Sequence, residues 1–250
     1  MKKLGLVIYP VSLYGFLFML LISCEKDNNK NSSNPTNGKT TAVFNSNITY
    51  GKLTDQDGNE YKTVTIGSQT WMAENLRTTK YRNGDIIPKV SDNTEWKNLN
   101  SGAYCNYRNT NSNDTIATYG RLYNWFAVKD NRNLAPIGWH VPTQDEWSTL
   151  YYYLNTNFIA GTKLKENGFS HWSNSNQGGD NSSGFTALPG GFRLNVNGTY
   201  ESIGLQGIWW NSTEPTSYGS TVSLFFNSSN VNIYVGAKTS GCSVRLVKDN

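Results

Sequence analysis

The side chains most suited to catalysis are few in this sequence, which has two histidines and three cysteines. His140 and His171 are far apart, and no His/Cys cluster has the spacing of a zinc site. Neither a nucleophile elbow nor a Gly-rich phosphate loop before a helix occurs. His140 directly precedes a predicted helix, where a hydrogen-bonded structural role is commoner than catalysis. We predict no catalytic residues, metal or cofactor, although a pair of glycosidase carboxylates could come from anywhere in the chain.

Cys24 has the surroundings of a modified cysteine. Lys2 and Lys3 precede an apolar segment at residues 4–22, as in a secretory signal peptide. Leu21-Ile22-Ser23 before Cys24 resembles the bacterial lipobox, which signal peptidase II recognises once the thiol carries diacylglycerol. A retained membrane anchor is the alternative, because the apolar segment approaches spanning length. We predict a lipoprotein signal peptide at residues 1–23 and a lipid on Cys24 that partners the membrane.

Cys105 and Cys242 remain as an even pair, and an exported protein matures in an oxidising compartment. A disulfide between them would close a long loop, worth about 4–5 kcal/mol on entropic grounds. The alternative is two buried thiols that behave as small apolar side chains. Strand parity could place the two side chains on opposite faces, so both arrangements stay open.

The segment Trp209-Trp210-Asn211-Ser212-Thr213-Glu214 is the candidate for ligand binding. Adjacent residues of a strand face opposite sides, so one indole enters the core and the other could lie nearer the surface. A surface indole could stack on a ligand, with Asn211 and Glu214 as polar partners. The alternative interpretation is a core strand followed by a turn.

The composition excludes one class of partner. Without Lys2 and Lys3, 20 basic residues face 18 acidic ones, so nucleic acid has no electrostatic basis for binding. The sequence is instead rich in aromatic residues, with 8 Trp, 15 Tyr and 10 Phe, a composition common in extracellular β-rich modules.

Residues 25–41 contain no apolar side chain, so we predict a lipid anchor and disordered tether at 24–44. Glu25-Lys26-Asp27 is similar to the signal that sends some lipoproteins to the outer cell surface; the alternative is a plain hydrophilic linker. We therefore expect an outer-membrane lipoprotein that faces the cell surface. Residues 45–250 have a length suited to one domain.

The elements that position these residues are short strands and two main helices. Thr143-Gln144-Asp145-Glu146 is a capping box, and the apolar residues that follow it fall on one helical face. A second helix is expected at residues 122–128, with a buried strand as the alternative. Asp55-Gln56-Asp57-Gly58-Asn59 predicts a turn rather than a calcium loop, followed by a strand at 61–67 and its returning partner at 68–72. Further strands are predicted at 184–194, 200–210, 222–226, 231–235 and 242–247, which gives the α+β class.

Several blocks together resemble one family, the Fibrobacter succinogenes major paralogous domain. They are Trp71-Met72-Ala73-Glu74-Asn75-Leu76, Tyr119-Gly120-Arg121-Leu122-Tyr123-Asn124-Trp125, Gly138-Trp139-His140-Val141-Pro142-Thr143, Ser183-Gly184-Phe185-Thr186-Ala187-Leu188-Pro189-Gly190-Gly191, the Trp209 segment, and Ser243-Val244-Arg245-Leu246-Val247-Lys248-Asp249. The resemblance implies a C-type-lectin-like fold in a secreted or lipid-anchored envelope protein. One block departs from the family, which has an aromatic residue where Cys242 stands and Cys at the position of Leu246.

Three functions follow as hypotheses. The first is a non-catalytic binding or adhesion domain at the cell surface, directed at an extracellular glycan or protein. The second is a structural envelope protein without a soluble ligand. The third is a carbohydrate-active enzyme, which the scarcity of catalytic residues disfavours. Calcium-dependent sugar binding of the lectin kind is not expected, because Glu214-Pro215 lacks the Trp-Asn-Asp triplet that accompanies it in C-type lectins.

Overall fold

The computed structural model describes residues 38–173, 176–215 and 217–250. The predicted signal peptide, Cys24 and most of the predicted tether lie outside these residues, so those predictions stay predictions. Across the part of the chain that is described, no helix has the length and apolar character needed to cross a membrane.

The predicted turn at residues 55–59 organises the first three strands. β1 (Gly51–Thr54) and β2 (Glu60–Ile66) pair antiparallel across it, and β3 (Gln69–Met72) returns beside β2. The Asp55 carboxylate accepts hydrogen bonds from the backbone N–H groups of Asp57 and Asn59, both at 2.9 Å, as in an Asx turn. The turn and the hairpin that follows it are therefore confirmed, while β1 was not predicted.

The end of the chain lies inside this first sheet. Its strand order is β1-β2-β3-β12-β6, where β6 is Trp139–His140 and β12 is Val247–Lys248. Val247 lies opposite Trp71 on one side and His140 on the other. The last strand thus joins the N-terminal strands to the segment that precedes the predicted helix.

Among the described residues, five short α-helices lie in the middle of the chain. They are α1 (Asn93–Lys97), α2 (Asn113–Tyr119), α3 (Trp125–Val128), α4 (Gln144–Tyr153) and α5 (Ala160–Leu164). α4 is the helix predicted from the capping box. The Thr143 hydroxyl accepts from the backbone N–H of Glu146, whose carboxylate accepts from the backbone N–H of Thr143. The buried face of α4 includes Trp147 and Leu150, as the spacing predicts.

The second predicted helix, at residues 122–128, is divided. Leu122–Tyr123 form the short strand β5, and α3 begins only at Trp125. The Asn124 side-chain oxygen causes the division, because it caps α3 at the backbone N–H of Ala127 and also accepts from the backbone N–H of Ala103, both at 3.0 Å. The helix prediction is wrong for the first two residues, where the strand alternative is right.

The remaining strands are antiparallel, and most of them follow the helices. β4 (Tyr104–Cys105) pairs with β5, β7 (Gly190–Arg193) pairs with β8 (Tyr200–Ile203), and β9 (Gln206–Asn211), β10 (Gly219–Phe225) and β11 (Asn232–Gly236) form a sheet of order β11-β10-β9. The strand predicted at 200–210 turns at Gly204, whose φ of 80° suits glycine. The α+β class is confirmed.

Candidate functional site

The predicted ligand segment lies in the core. Trp209 and Trp210 are both fully buried, and they face opposite sides of β9. The Trp209 indole N–H donates to the Asn75 side-chain oxygen, and that of Trp210 donates to the Tyr123 carbonyl, both at 2.8 Å. The predicted alternation is right, but a surface position for one indole is wrong because other elements cover both faces of β9.

The two polar candidates of that segment are separated as well. Asn211 is buried, donates to the Ser220 hydroxyl at 2.8 Å and accepts from the backbone N–H of Thr213. Glu214 lies partly exposed beyond the strand and forms an ion pair with Lys238. The segment is a core strand followed by a turn, which was the alternative interpretation.

His140 lies between two carboxylates. Its Nδ1 is 2.6 Å from Asp249 and its Nε2 is 2.7 Å from Glu146, the capping residue of α4. Partial burial lowers the pKa of His140, but the two hydrogen bonds outweigh it and leave the pKa above the ordinary value. Both ring nitrogens can donate only in the imidazolium form. The geometry fits the structural role, because His140 connects the C-terminal residues to the start of α4.

His171 belongs to a second group of hydrogen-bonded side chains. Its Nδ1 contacts the Glu166 carboxylate at 2.8 Å, and its Nε2 contacts the Thr41 hydroxyl at 2.8 Å. A hydroxyl, an imidazole and a carboxylate in this order are the components of an activated nucleophile. However, the Thr41 hydroxyl also contacts that of Thr118 at 3.1 Å, and Glu166 also accepts a backbone N–H, so these groups hold a chain segment in place.

That segment, residues 39–43, is called the N-terminal strap here. Its backbone N–H groups donate at every second residue to side-chain oxygens of the domain, with Lys39 to Asp114 at 2.9 Å, Thr41 to Thr118 at 3.0 Å and Val43 to Glu166 at 2.6 Å. The period of two is that of an extended strand whose partners are side chains instead of a neighbouring backbone. These residues fall within the predicted tether, and they bind the domain.

Cys105 and Cys242 are buried free thiols. Cys105 lies opposite Leu122 in the β4–β5 pair, whereas Cys242 lies opposite the next residue, Tyr123. Neighbouring strand positions face opposite sides, and the two cysteines accordingly belong to different core clusters. Burial raises the pKa of the Cys105 thiol to about 11. The disulfide that the sequence left open is therefore not formed.

An open groove of about 800 Å³ lies between the strap and the first hairpin, a volume in the range of ligand sites. Its charged lining side chains are Lys39, Lys52, Glu60, Lys62, Glu74 and Arg77. We call this cavity the strap groove. Among the described residues, no three or more His, Cys, Asp or Glu side chains are grouped so that they could hold a metal ion.

The floor of the strap groove is a buried ion pair. The Arg77 guanidinium lies 4.3 Å from the centre of the Tyr61 ring, donates to the Glu60 carbonyl at 2.7 Å and is 3.6 Å from the Glu74 carboxylate. Glu74 in turn accepts from the backbone N–H of Lys62 at 2.6 Å. The floor is therefore held by several contacts and carries one cation and one anion.

The rim of the strap groove carries the exposed charges. Lys52 on β1 and Lys62 on β2 are directly opposite in the antiparallel register. Lys52 forms an exposed ion pair with Glu60, and the Lys62 ammonium lies 5.2 Å from the centre of the Phe44 ring. None of these residues was a predicted site residue. Only the alternation around Lys62 was visible in the sequence, since the pairing with Lys52 requires the register of an unpredicted strand.

The chain matches a known protein family. The model described as the Fibrobacter succinogenes major domain matches residues 64–248, about three quarters of the chain. Lys39, Lys52, Glu60 and Lys62 precede the matched residues, whereas Glu74 and Arg77 lie within them. No curated protein and no solved structure matches the chain.

Proposed function

Because the chain belongs to the Fibrobacter succinogenes major domain family, we propose that it is a surface lipoprotein whose domain binds a ligand without catalysis. The lipobox-like segment before Cys24 supports the anchor, and Glu25-Lys26-Asp27 supports the outer cell surface. An extracellular glycan is the proposed ligand class, because the strap groove is open and lined by hydrogen-bonding side chains.

The binding proposal rests on the strap groove. The two indoles of the Trp209 segment contribute nothing to a surface, since both are buried. The groove instead combines a floor held by a buried ion pair with exposed polar side chains, the arrangement of a largely preformed site. His140 and His171 both have carboxylate partners that hold chain segments together, which favours binding over an enzyme.

A structural envelope protein is the second candidate function. The burial of Trp209, Trp210 and Asn211 favours it, because these residues, first expected to contact a ligand, stabilise the core instead. On this alternative the strap groove has no ligand, and the domain serves through its fold alone.

The C-type-lectin-like fold is part of the proposal. The mixed α+β organisation with antiparallel sheets is consistent with it, as is the position of β12 between β3 and β6 in the first sheet. Superposition of the five-stranded sheet and α4 on C-type lectin domains tests this point.

A steric variant tests ligand binding in the groove. The chain from residue 25 onward, which retains the strap, is applied to a glycan array and used for a pull-down from cell surfaces. Thr40→Trp places a large ring at the groove lining and should abolish retention. Thr94→Trp, at an exposed position of α1, is the matched control and should retain the ligand. A wild-type chain that retains nothing in either assay, or retention unaffected by Thr40→Trp, contradicts the proposed site.

The anchor is tested by Cys24→Ala. Without the thiol no thioether can form, so the precursor should remain uncleaved and should not be labelled by radioactive palmitate. Protease added to intact cells should remove the wild-type domain if it faces the outside. A Cys24→Ala protein that is cleaved normally and labelled normally contradicts the lipoprotein proposal.

A further inference from the structure

We propose that the strap groove recognises the carboxylate of an acidic sugar, with Lys52, Lys62 and Arg77 as its cationic side chains. This inference rests on the proposed binding function and specifies the ligand of the same site. Four basic side chains and two carboxylates line the groove, so its balance is positive by two charges.

The pairing of Lys52 with Lys62 is the first observation. Like charges directly opposite in an antiparallel pair destabilise the sheet. Lys52 gains only an exposed ion pair with Glu60, a type of contact that contributes little. A bound anion would remove the repulsion between the two ammonium groups. The register therefore indicates an anionic partner above this hairpin.

Protection of a sheet edge is the competing explanation for lysine on β1, which is an edge strand. That explanation does not extend to Lys62, because β2 has a neighbour on each side. The Lys62 ammonium has aromatic neighbours at 5.2 Å and 5.5 Å, the rings of Phe44 and Tyr50. Among the described residues no carboxylate forms an ion pair with Lys62, which thus lies near the groove in a position where edge protection has no role.

The carboxylates of the groove favour a sugar over a bare phosphate or a membrane surface. Glu60 and Glu74 would repel a doubly charged phosphate, but their oxygens can accept hydrogen bonds from sugar hydroxyls. Arg77 supplies a guanidinium fixed by the Glu60 carbonyl and the Tyr61 ring. One negative charge together with several hydroxyl donors is the chemistry of a uronic acid.

The test uses the full-length chain in a non-ionic detergent. Calorimetric titration compares trigalacturonate with its fully methyl-esterified form, which keeps the sugars and removes the charges. We expect the ester to bind at least about tenfold more weakly, and the acid to weaken as ionic strength rises from about 0.05 to about 0.5 M. Dihexanoylphosphatidylglycerol is the competitor that represents a lipid headgroup.

Lys52→Gln and Lys62→Gln should each weaken trigalacturonate binding by about threefold to tenfold. Lys97→Gln, an exposed lysine at the end of α1, is the control and should leave the affinity unchanged. The melting temperature of the groove variants should not fall, since each substitution removes a like-charge pair.

Three binding results overturn the inference while the proposed binding function stands. They are equal affinity for acid and ester, displacement by the lipid competitor, and retention of an array glycan that is indifferent to both lysine substitutions. A lower melting temperature with unchanged affinity would assign the lysines to stability and overturn it too. The proposed function itself fails only if the wild-type chain retains no glycan or cell-surface ligand.

Discussion

Buried arginines in this domain donate hydrogen bonds to backbone carbonyl groups that helices and sheets would satisfy elsewhere. Arg193 and Arg245 are buried and donate mainly to backbone carbonyl oxygens of irregular segments. Arg193 binds the carbonyl groups of Val90, Ser91, Asp92 and Gly198. A buried carbonyl without a donor costs about 1–3 kcal/mol, so a fold with many loops needs such donors. The guanidinium meets this need with five N–H groups in one plane.

Arg245 depends on its planar guanidinium for its buried contacts. Its Nε donates to the Asn75 side chain at 2.9 Å, and its terminal nitrogens donate to the carbonyl groups of Phe185 and Thr186. Burial lowers the pKa of Arg245 to about 9, which still leaves it charged at neutral pH. Arg245→Lys should destabilise the domain by about 3 kcal/mol, since an ammonium cannot reproduce the planar fork.

Urea unfolding monitored by tryptophan fluorescence measures this change. The matched control is Arg108→Lys, because Arg108 is exposed. The two substitutions are chemically identical, so equal midpoints would mean that the fork geometry at Arg245 contributes nothing.

His140 provides a prediction about pH. Its folded-state pKa lies above the ordinary value because of Asp249 and Glu146, so its contribution to stability is fully present below the unfolded-state pKa. That contribution should be lost as the pH rises through the raised folded-state pKa. His140→Gln should therefore remove part of the decline in unfolding free energy as the pH rises above the ordinary histidine pKa of about 6.5. Unfolding curves of both proteins across this range measure it, and parallel pH profiles would contradict it.

At the scale of single elements, prediction succeeded where the signals are local. The capping box at Thr143 and the apolar face of α4 lie within a few residues of each other, and the helix begins at the predicted position. The helix prediction for residues 122–128 was partly wrong because the Asn124 side chain accepts a hydrogen bond from the backbone N–H of Ala103. No local sequence pattern reveals this contact. The turn at 55–59 was visible from its own side chains, but the register that opposes Lys52 to Lys62 was not.

α4 allows its local and its tertiary contributions to be compared. Thr143→Ala removes the N-cap acceptor and should cost about 1 kcal/mol. Trp147→Ala removes a fully buried indole, 4.8 Å from the ring of Trp71, and should cost about 3–5 kcal/mol. Denaturant melts of both variants measure the two costs. The reverse ranking would mean that the cap, and not the core, determines the stability of this helix.

At the scale of the whole molecule, contacts between distant segments complete both the core and the groove. β12 enters the sheet between β3 and β6, and the N-terminal strap lies against side chains of α2 and of the segment after α5. Residues 39–43 fall within the predicted tether, which rests on the absence of apolar side chains from residues 25–41. Its attachment depends on backbone N–H groups, which every sequence has, so composition gave no sign of it. The strap groove could not be predicted for the same reason, because the strap forms one of its walls.

The strap therefore predicts where the stable domain begins. A chain that starts at residue 45 loses the strap amides that bind Asp114, Thr118 and Glu166, and it also loses Phe44, which packs at 5.4 Å from Tyr50. At roughly 1 kcal/mol for each hydrogen bond and more for the ring, it should be about 3–5 kcal/mol less stable than a chain that starts at residue 38. Urea unfolding of the two chains gives the difference directly.

A third chain, starting at residue 38 with Glu166→Gln, separates the contribution of the Glu166 contacts from that of the rest of the strap. It keeps the strap and Phe44 but weakens the acceptor for Val43 and His171. Its stability should fall between the other two. Equal stability of the chains from residues 38 and 45 would mean that residues 39–43 do not bind the domain and belong to the tether. The groove would then lack one of its walls.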